Sequence, residues 1–213
     1  MSEATTTMTS DQADSPDQPV PLVLVHGLWD TPRLFRALEE QLGQRRTPRL
    51  IPHLPHGLGW IPLEQLAGQL DAEIQATFGG ERRLDLFGFS MGGVIARAWI
   101  QLLGGWRRTR RFTSVASPHQ GTLTALPWPR RVLAGVADMK PGSPLLRRLN
   151  GDLEALRRIE CCSFYCAADL TVVPGWTAVL PVGPSHPLPG LRHDRLLREQ
   201  ASLAPLVREL LRE

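Results

Sequence analysis

The chain has 213 residues, 42% hydrophobic and 21% charged, a length and balance that suit one globular domain and exclude wholesale disorder. Its net charge is +3, and its 24 basic residues are scattered as pairs such as Arg45-Arg46, Arg107-Arg108, Arg110-Arg111 and Arg130-Arg131. No motif that reads DNA or RNA accompanies them, so they are taken as solvated surface and no nucleic-acid partner is expected.

Residues 1–19 are polar and rich in Ser, Thr, Asp and Gln, which predicts a disordered tail. They have neither the basic flank nor the apolar segment of a signal peptide, and no apolar run in the chain is long enough to cross a bilayer. Residues 20–213 are expected to form the single domain. PLVLV (21–25) is a short continuous apolar run, as in a strand buried on both faces. A helix is expected over 32–42, with Leu34, Leu38 and Leu42 on one face, then a second strand at RLIPHL (49–54). Leu63, Leu66, Leu70 and Ile74 have helical spacing and predict a helix over 63–77.

LDLF (84–87) is a third strand, followed by a helix at 91–103 with an inner stripe of Met91, Val94, Ile95, Ala98 and Leu102. FTSVA (112–116), CCSFYCA (161–167) and TAVLPV (177–182) supply strands four to six, and Leu203, Leu206, Val207 and Leu210 share a face of a last helix at 203–212. The alternation of strand and helix predicts the α/β class: a mostly parallel sheet of about six strands flanked by helices. Residues 119–150 break the rhythm, being longer than a simple crossover and carrying four prolines. Cys161, Cys162 and Cys166 crowd into one apolar stretch, a poor disulfide framework; buried strand thiols in a reducing, cytoplasmic compartment are the simplest account.

GFSMG (88–92) fits Gly-x-Ser-x-Gly, in which a sharp strand-to-helix turn holds a serine hydroxyl clear of the backbone. The bare pattern is weak, but an apolar strand leads into it and an amphipathic helix leads out. Ser90 is therefore the expected nucleophile, and the N–H of Met91, at the unpaired helix start, is positioned to bind an oxyanion.

With these residues in view, the chain resembles the α/β-hydrolase superfamily, specifically its small bacterial lipases and esterases. VLVHGLWD (23–30) looks like the family's strand and His-Gly oxyanion loop, GFSMGG (88–93) like its nucleophile elbow, and ASPHQGT (116–122) and MKPGSPLLRRLN (139–150) like lipase segments. The resemblance spans roughly residues 21–197. It implies that the backbone N–H of Leu28 is the second oxyanion donor and that His26 organises its loop without exchanging a proton. Larger members have two more strands before the His-Gly strand, so a reduced α/β-hydrolase sheet with a short cap insertion is implied.

The family order is serine, acid, histidine. The histidines after Ser90 are His119, His186 and His193, and the acids are Asp138, Asp152, Glu154, Glu160, Asp169 and Asp194. Asp169 follows an apolar strand and opens DLTVVP, on the rim where open α/β sheets hold ligands, and D-x-x-V there resembles the family's acid loop. His193, in GLRHDRLL before the last helix, resembles the base; the main competitor is His186, between prolines. His119 precedes the acid and is expected to line the site mouth. His53 and His56 lack known zinc spacing, so no metal is expected, and no cofactor fingerprint is present.

The resemblance thus implies a serine hydrolase of carboxylic esters, lipid-like ones favoured, acting through an acyl-enzyme. An acyltransferase or a thioesterase would use the same residues. A non-catalytic binding protein on this fold would typically lack a triad member, and here serine, acid and base candidates occur in order. Residues 122–136, with Trp128, Arg130 and Arg131, are either a cap able to meet a membrane surface or a crossover packed on the sheet. Trp29 and Trp60 fall in rim loops, as acyl-pocket walls or as core.

Overall fold

A computed structural model describes residues 18–190 and 192–212. The polar tail assigned to 1–19 therefore lies, but for its last two residues, outside the described residues. The strands are Leu22–Val25 (β1), Arg49–Leu50 (β2), Leu84–Phe89 (β3), Thr109–Val115 (β4), Glu160–Tyr165 (β5) and Ser185–Pro187 (β6). They form one sheet in the order β2-β1-β3-β4-β5-β6, and every neighbouring pair is parallel.

The apolar runs explain why helices cover both faces. In β1, Val23 and Val25 join the core under helices α2 (Leu63–Phe78) and α3 (Met91–Leu102). Leu22 and Leu24 join the opposite core, under α1 (Arg36–Leu42) and α7 (Gln200–Leu210). β3 repeats this, with Leu84 and Leu86 on one side and Phe87 and Phe89 on the other. Each fully buried side chain of this kind contributes about 2 kcal/mol relative to exposure.

Two expected strands lie differently. The second ends at Leu50, because Pro52 has no N–H for a ladder and the Leu54 N–H is given to the His26 ring at 3.2 Å. The sixth is at Ser185–Pro187, not 177–182. Thr177 turns back instead, its N–H and Oγ1 both donating to the Pro174 carbonyl at 3.0 and 2.8 Å. Leu180 is buried there without sheet pairing, so its apolar neighbourhood signalled burial and not a ladder.

Between β4 and β5 run three short helices, α4 (Ala134–Asp138), α5 (Pro144–Gly151) and α6 (Glu154–Arg157). Arg97 of α3, with no exposed surface, holds this segment by donating to the Leu149 carbonyl at 2.7 Å and Asn150 Oδ1 at 2.9 Å. Burial without a carboxylate partner lowers the pKa of its guanidinium to about 10. The amino-terminal edge of the sheet is closed by Asp85, which binds Arg46 and takes two hydrogen bonds from Arg110, at 2.9 and 2.7 Å. The opposite edge is left for the site.

Candidate active site

Ser90 is the single residue between β3 and α3, and its φ of 54° and ψ of −128° give the chain its sharp bend. Such a conformation costs about 1–3 kcal/mol in a non-glycine residue and persists only where surrounding bonds enforce it. Here the Ser90 N–H donates to the Val115 carbonyl at 2.9 Å and the Ser90 carbonyl accepts from Gly93 at 3.1 Å. Glycine is needed beside it: a Cβ on Gly92 would lie 2.2 Å from the Val25 carbonyl oxygen, and one on Gly88 would lie 2.4 Å from Gly93 Cα. The other described non-glycine residues with positive φ are Trp29, Leu58 and Ala116. With Ser90, they fall one each in the segments after β1, β2, β3 and β4, so backbone strain gathers at one edge of the sheet.

Asp169 and His193 meet at that edge although 24 residues separate them. The buried Asp169 takes three hydrogen bonds: from the Thr171 N–H at 2.7 Å and the Val172 N–H at 3.1 Å on Oδ1, and from His193 Nδ1 at 2.6 Å on Oδ2. A carboxylate accepts only, so Nδ1 carries a proton and the neutral ring presents Nε2 as an acceptor. That Nε2 is buried and has no partner among the described residues. The His193 ring lies 4.8 Å from the ring of Phe89, the residue preceding Ser90. Ser90 and His193 are not hydrogen-bonded to each other here; such contacts often form only with substrate in place. His186 is elsewhere, in the exposed edge strand β6 with its ring against Phe164, and no described carboxylate binds it.

Residues 22–213 match the model of the alpha/beta hydrolase family. The chain belongs to the α/β-hydrolase family. Among solved structures it is similar to a Bacillus licheniformis lipase in mature form, with 17% identity over 95% of each chain and a TM-score of 0.71. It is also similar to a thioesterase of the prodiginine pathway in Streptomyces coelicolor, with 22% identity, 97% of this chain and 96% of that one covered, and a TM-score of 0.58. A Legionella pneumophila phospholipase shares 12% identity over 90% of this chain and 59% of its own, with a TM-score of 0.70. No curated protein matches the chain.

In this hydrolase the loop after β1 is fastened by two histidines. His26 Nδ1 donates to the Gly27 carbonyl at 3.0 Å and its Nε2 accepts from Leu54. His56 Nε2 accepts from the Trp29 N–H at 3.0 Å, and Trp29 Nε1 donates to the Leu58 carbonyl at 3.2 Å. Burial lowers the pKa of both histidines, which favours the neutral rings that can accept those bonds. The Leu28 N–H, next to this anchored turn, finds no acceptor among the described residues. His56 was not legible as a loop anchor, since its partner is 27 residues away.

The other expected site residues divide. His119 does not line the mouth: it has no exposed surface, and its Nε2 is bonded to Ser114 Oγ of β4 at 2.6 Å, beneath α3. A histidine can close a buried turn as readily as it can face a ligand, and here the turn takes it. Trp29 and Trp128 are 63% and 44% exposed, so Trp128 is not the core of a crossover. Residues 122–136 are mostly irregular, leaving Leu123, Leu126 and Val132 exposed as well. Thr122 and Thr124 fasten the start of this segment to the Thr171 carbonyl, beside the acid loop, at 3.0 and 2.6 Å. Trp60 and Leu170 add further exposed apolar surface from the loops after β2 and β5.

Cys161, Cys162 and Cys166 are buried and unpaired, and burial pushes the first two thiols up to about 12. Among the described residues no three His, Cys, Asp or Glu side chains are set to hold a metal ion, and no helix is long and apolar enough to cross a membrane.

Proposed function

We propose that this α/β-hydrolase is a serine esterase whose acyl-enzyme forms on Ser90, with His193 as base and Asp169 as its orienting acid. The observation that carries the reading is the Asp169–His193 bond at 2.6 Å, which leaves Nε2 bare at the edge where Ser90 sits on its strained bend.

Nε2 takes the hydroxyl proton as Ser90 Oγ attacks the ester carbonyl, and Asp169 stabilises the imidazolium formed. The N–H groups of Leu28 and Met91 receive the charge developing on the carbonyl oxygen; Met91 opens α3, where backbone donors are unpaired and the helix dipole adds positive potential. The C–O bond breaks and the alcohol leaves with the proton from His193. Water, deprotonated in turn by His193, releases the acid and restores Ser90.

Lipid-like esters fit the exposed apolar side chains around this edge, among them Trp29 and Trp128, and residues 122–136 would meet a lipid surface through Trp128, Arg130 and Arg131. The buried, unpaired thiols favour a reducing compartment such as the cytoplasm. The similarity to a thioesterase makes thioesters the competing substrate class. The deciding experiment measures kcat/KM on p-nitrophenyl esters of increasing acyl length beside acyl thioesters of the same chains. Faster turnover of the esters, rising with chain length, is expected. Hydrolysis of thioesters alone, or of neither, would overturn the assignment.

A further inference from the structure

The loop after β1 holds one group that the mechanism does not use. Asp30 is half-buried, and its Oδ2 lies 3.0 Å from the point that a Cβ on Gly27 would occupy; Ser90 Cβ lies 2.9 Å from that same point. Carboxylate and nucleophile therefore share one small volume. The Asp30 N–H folds back on the Gly27 carbonyl at 3.4 Å, which holds the residue beside the elbow. Among the described residues no hydrogen bond or ion pair engages its carboxylate, whereas Asp169 accepts three bonds.

The groups that act on Asp30 come from the final loop, between β6 and the last helix. Attraction from His193 and then Arg198 favours its charge, Asp194 opposes it, and burial, the largest influence, raises its pKa. A half-buried carboxylate with no hydrogen bond or ion pair of its own acts on whatever charge is brought beside it more strongly than one in bulk water. The exposed Arg130, Arg131, Arg192 and Arg195 act through water, where physiological salt screens charges beyond about 8 Å. The charge of Asp169 is already committed to His193. His193, the strongest attraction on Asp30, also passes the proton to the departing alcohol, which makes the alcohol the part of the ester whose charge Asp30 would sense.

We infer that Asp30 is a specificity-determining residue, a second carboxylate at the nucleophile that favours esters of cationic alcohols over neutral ones and rejects those of anionic alcohols. The inference rests on the Ser90 esterase reading. It follows from an unengaged carboxylate that borders the same space in front of Gly27 as the Ser90 side chain, whatever the acyl chain.

The test uses the full chain and three butyrate esters followed by proton release: those of choline, of its uncharged isostere 3,3-dimethylbutanol, and of 3-hydroxypropionate. The readout is the ratio of kcat/KM values, which a general loss of activity does not move. Asp30→Asn should lower the choline-to-dimethylbutyl ratio and raise the hydroxypropionate-to-dimethylbutyl ratio, each by about five-fold or more. Asp30→Glu should keep the wild-type order. If Asp30→Asn does not fold, Asp30→Ser decides by the same two ratios, and ratios unchanged in that folded variant overturn the proposal. Ratios unchanged in folded Asp30→Asn overturn it too, while the Ser90 reading stands if Ser90→Ala abolishes turnover. Wild type inert towards all three esters, and no better than Ser90→Ala on p-nitrophenyl esters, removes both.

Discussion

Asp169→Asn is expected to lower kcat by about 10,000-fold while leaving the protein folded and KM little changed. Asparagine keeps the shape of the side chain, and its carbonyl can still accept from Thr171 and Val172. Its NH2 group then faces His193 Nδ1, where a carboxylate oxygen stood at 2.6 Å. A donor there forces Nδ1 to become the acceptor and moves the ring proton to Nε2, so the ring can no longer take the proton of Ser90. The loss falls on the chemical step because none of these atoms need touch the bound ester. Steady-state kinetics beside circular dichroism check it. A loss of under ten-fold would mean that another group orients His193.

Gly92→Ala should act through the fold. The added methyl would sit 2.2 Å from the Val25 carbonyl oxygen and 2.5 Å from that of His26. Both oxygens belong to the backbone at the end of β1, a strand paired on both sides, so neither can swing away as a side-chain tip could. The expected cost is about 3 kcal/mol, at the upper end for overpacking, which lowers Tm by about 6–12 °C in a chain of this size. Activity should fall further than stability, since moving His26 moves the Leu28 N–H. Gly68, inside α2, is the matched control: a methyl there meets nothing within 4 Å, and Gly68→Ala should leave Tm the same or slightly higher. Thermal melts of the two variants make the comparison; equal melting temperatures would contradict the tight elbow described above.

The parts of this fold legible in the sequence are those whose residues answer to local physics. PLVLV is apolar on both faces because helices cover both faces of the sheet, and a continuous run is the mark of that; LDLF departs from it only at Asp85, which is neutralised by Arg46 and Arg110. Ser90 was legible because a tight bend between strand and helix demands small residues on either side, and glycines at 88 and 92 are hard to mistake. That Asp169 and His193 would meet was legible from their positions after a strand and before the last helix, together with the family resemblance.

What was not legible depends on partners that the sequence does not mark. β6, Ser-His-Pro, is exposed and polar and becomes a strand only because β5 offers it an edge. Ala178 and Leu180 of the apolar run at 177–182 are buried without sheet pairing, and hydrophobicity alone does not separate the two outcomes. His119 and His56 are each a histidine in a loop; one is buried on Ser114 and the other accepts from Trp29, and neither partner is marked by spacing. Nothing in HGLWD tells whether the Asp30 carboxylate faces water or Ser90.

The proposed nucleophile is one serine, on the bend after β3. A fluorophosphonate probe tests it most directly: incubated with the full chain, digested and read by mass spectrometry, it should give a single adduct on the peptide that carries Ser90, and none with Ser90→Ala. An intact protein that takes up no probe, or that is labelled equally after Ser90→Ala, would contradict the account.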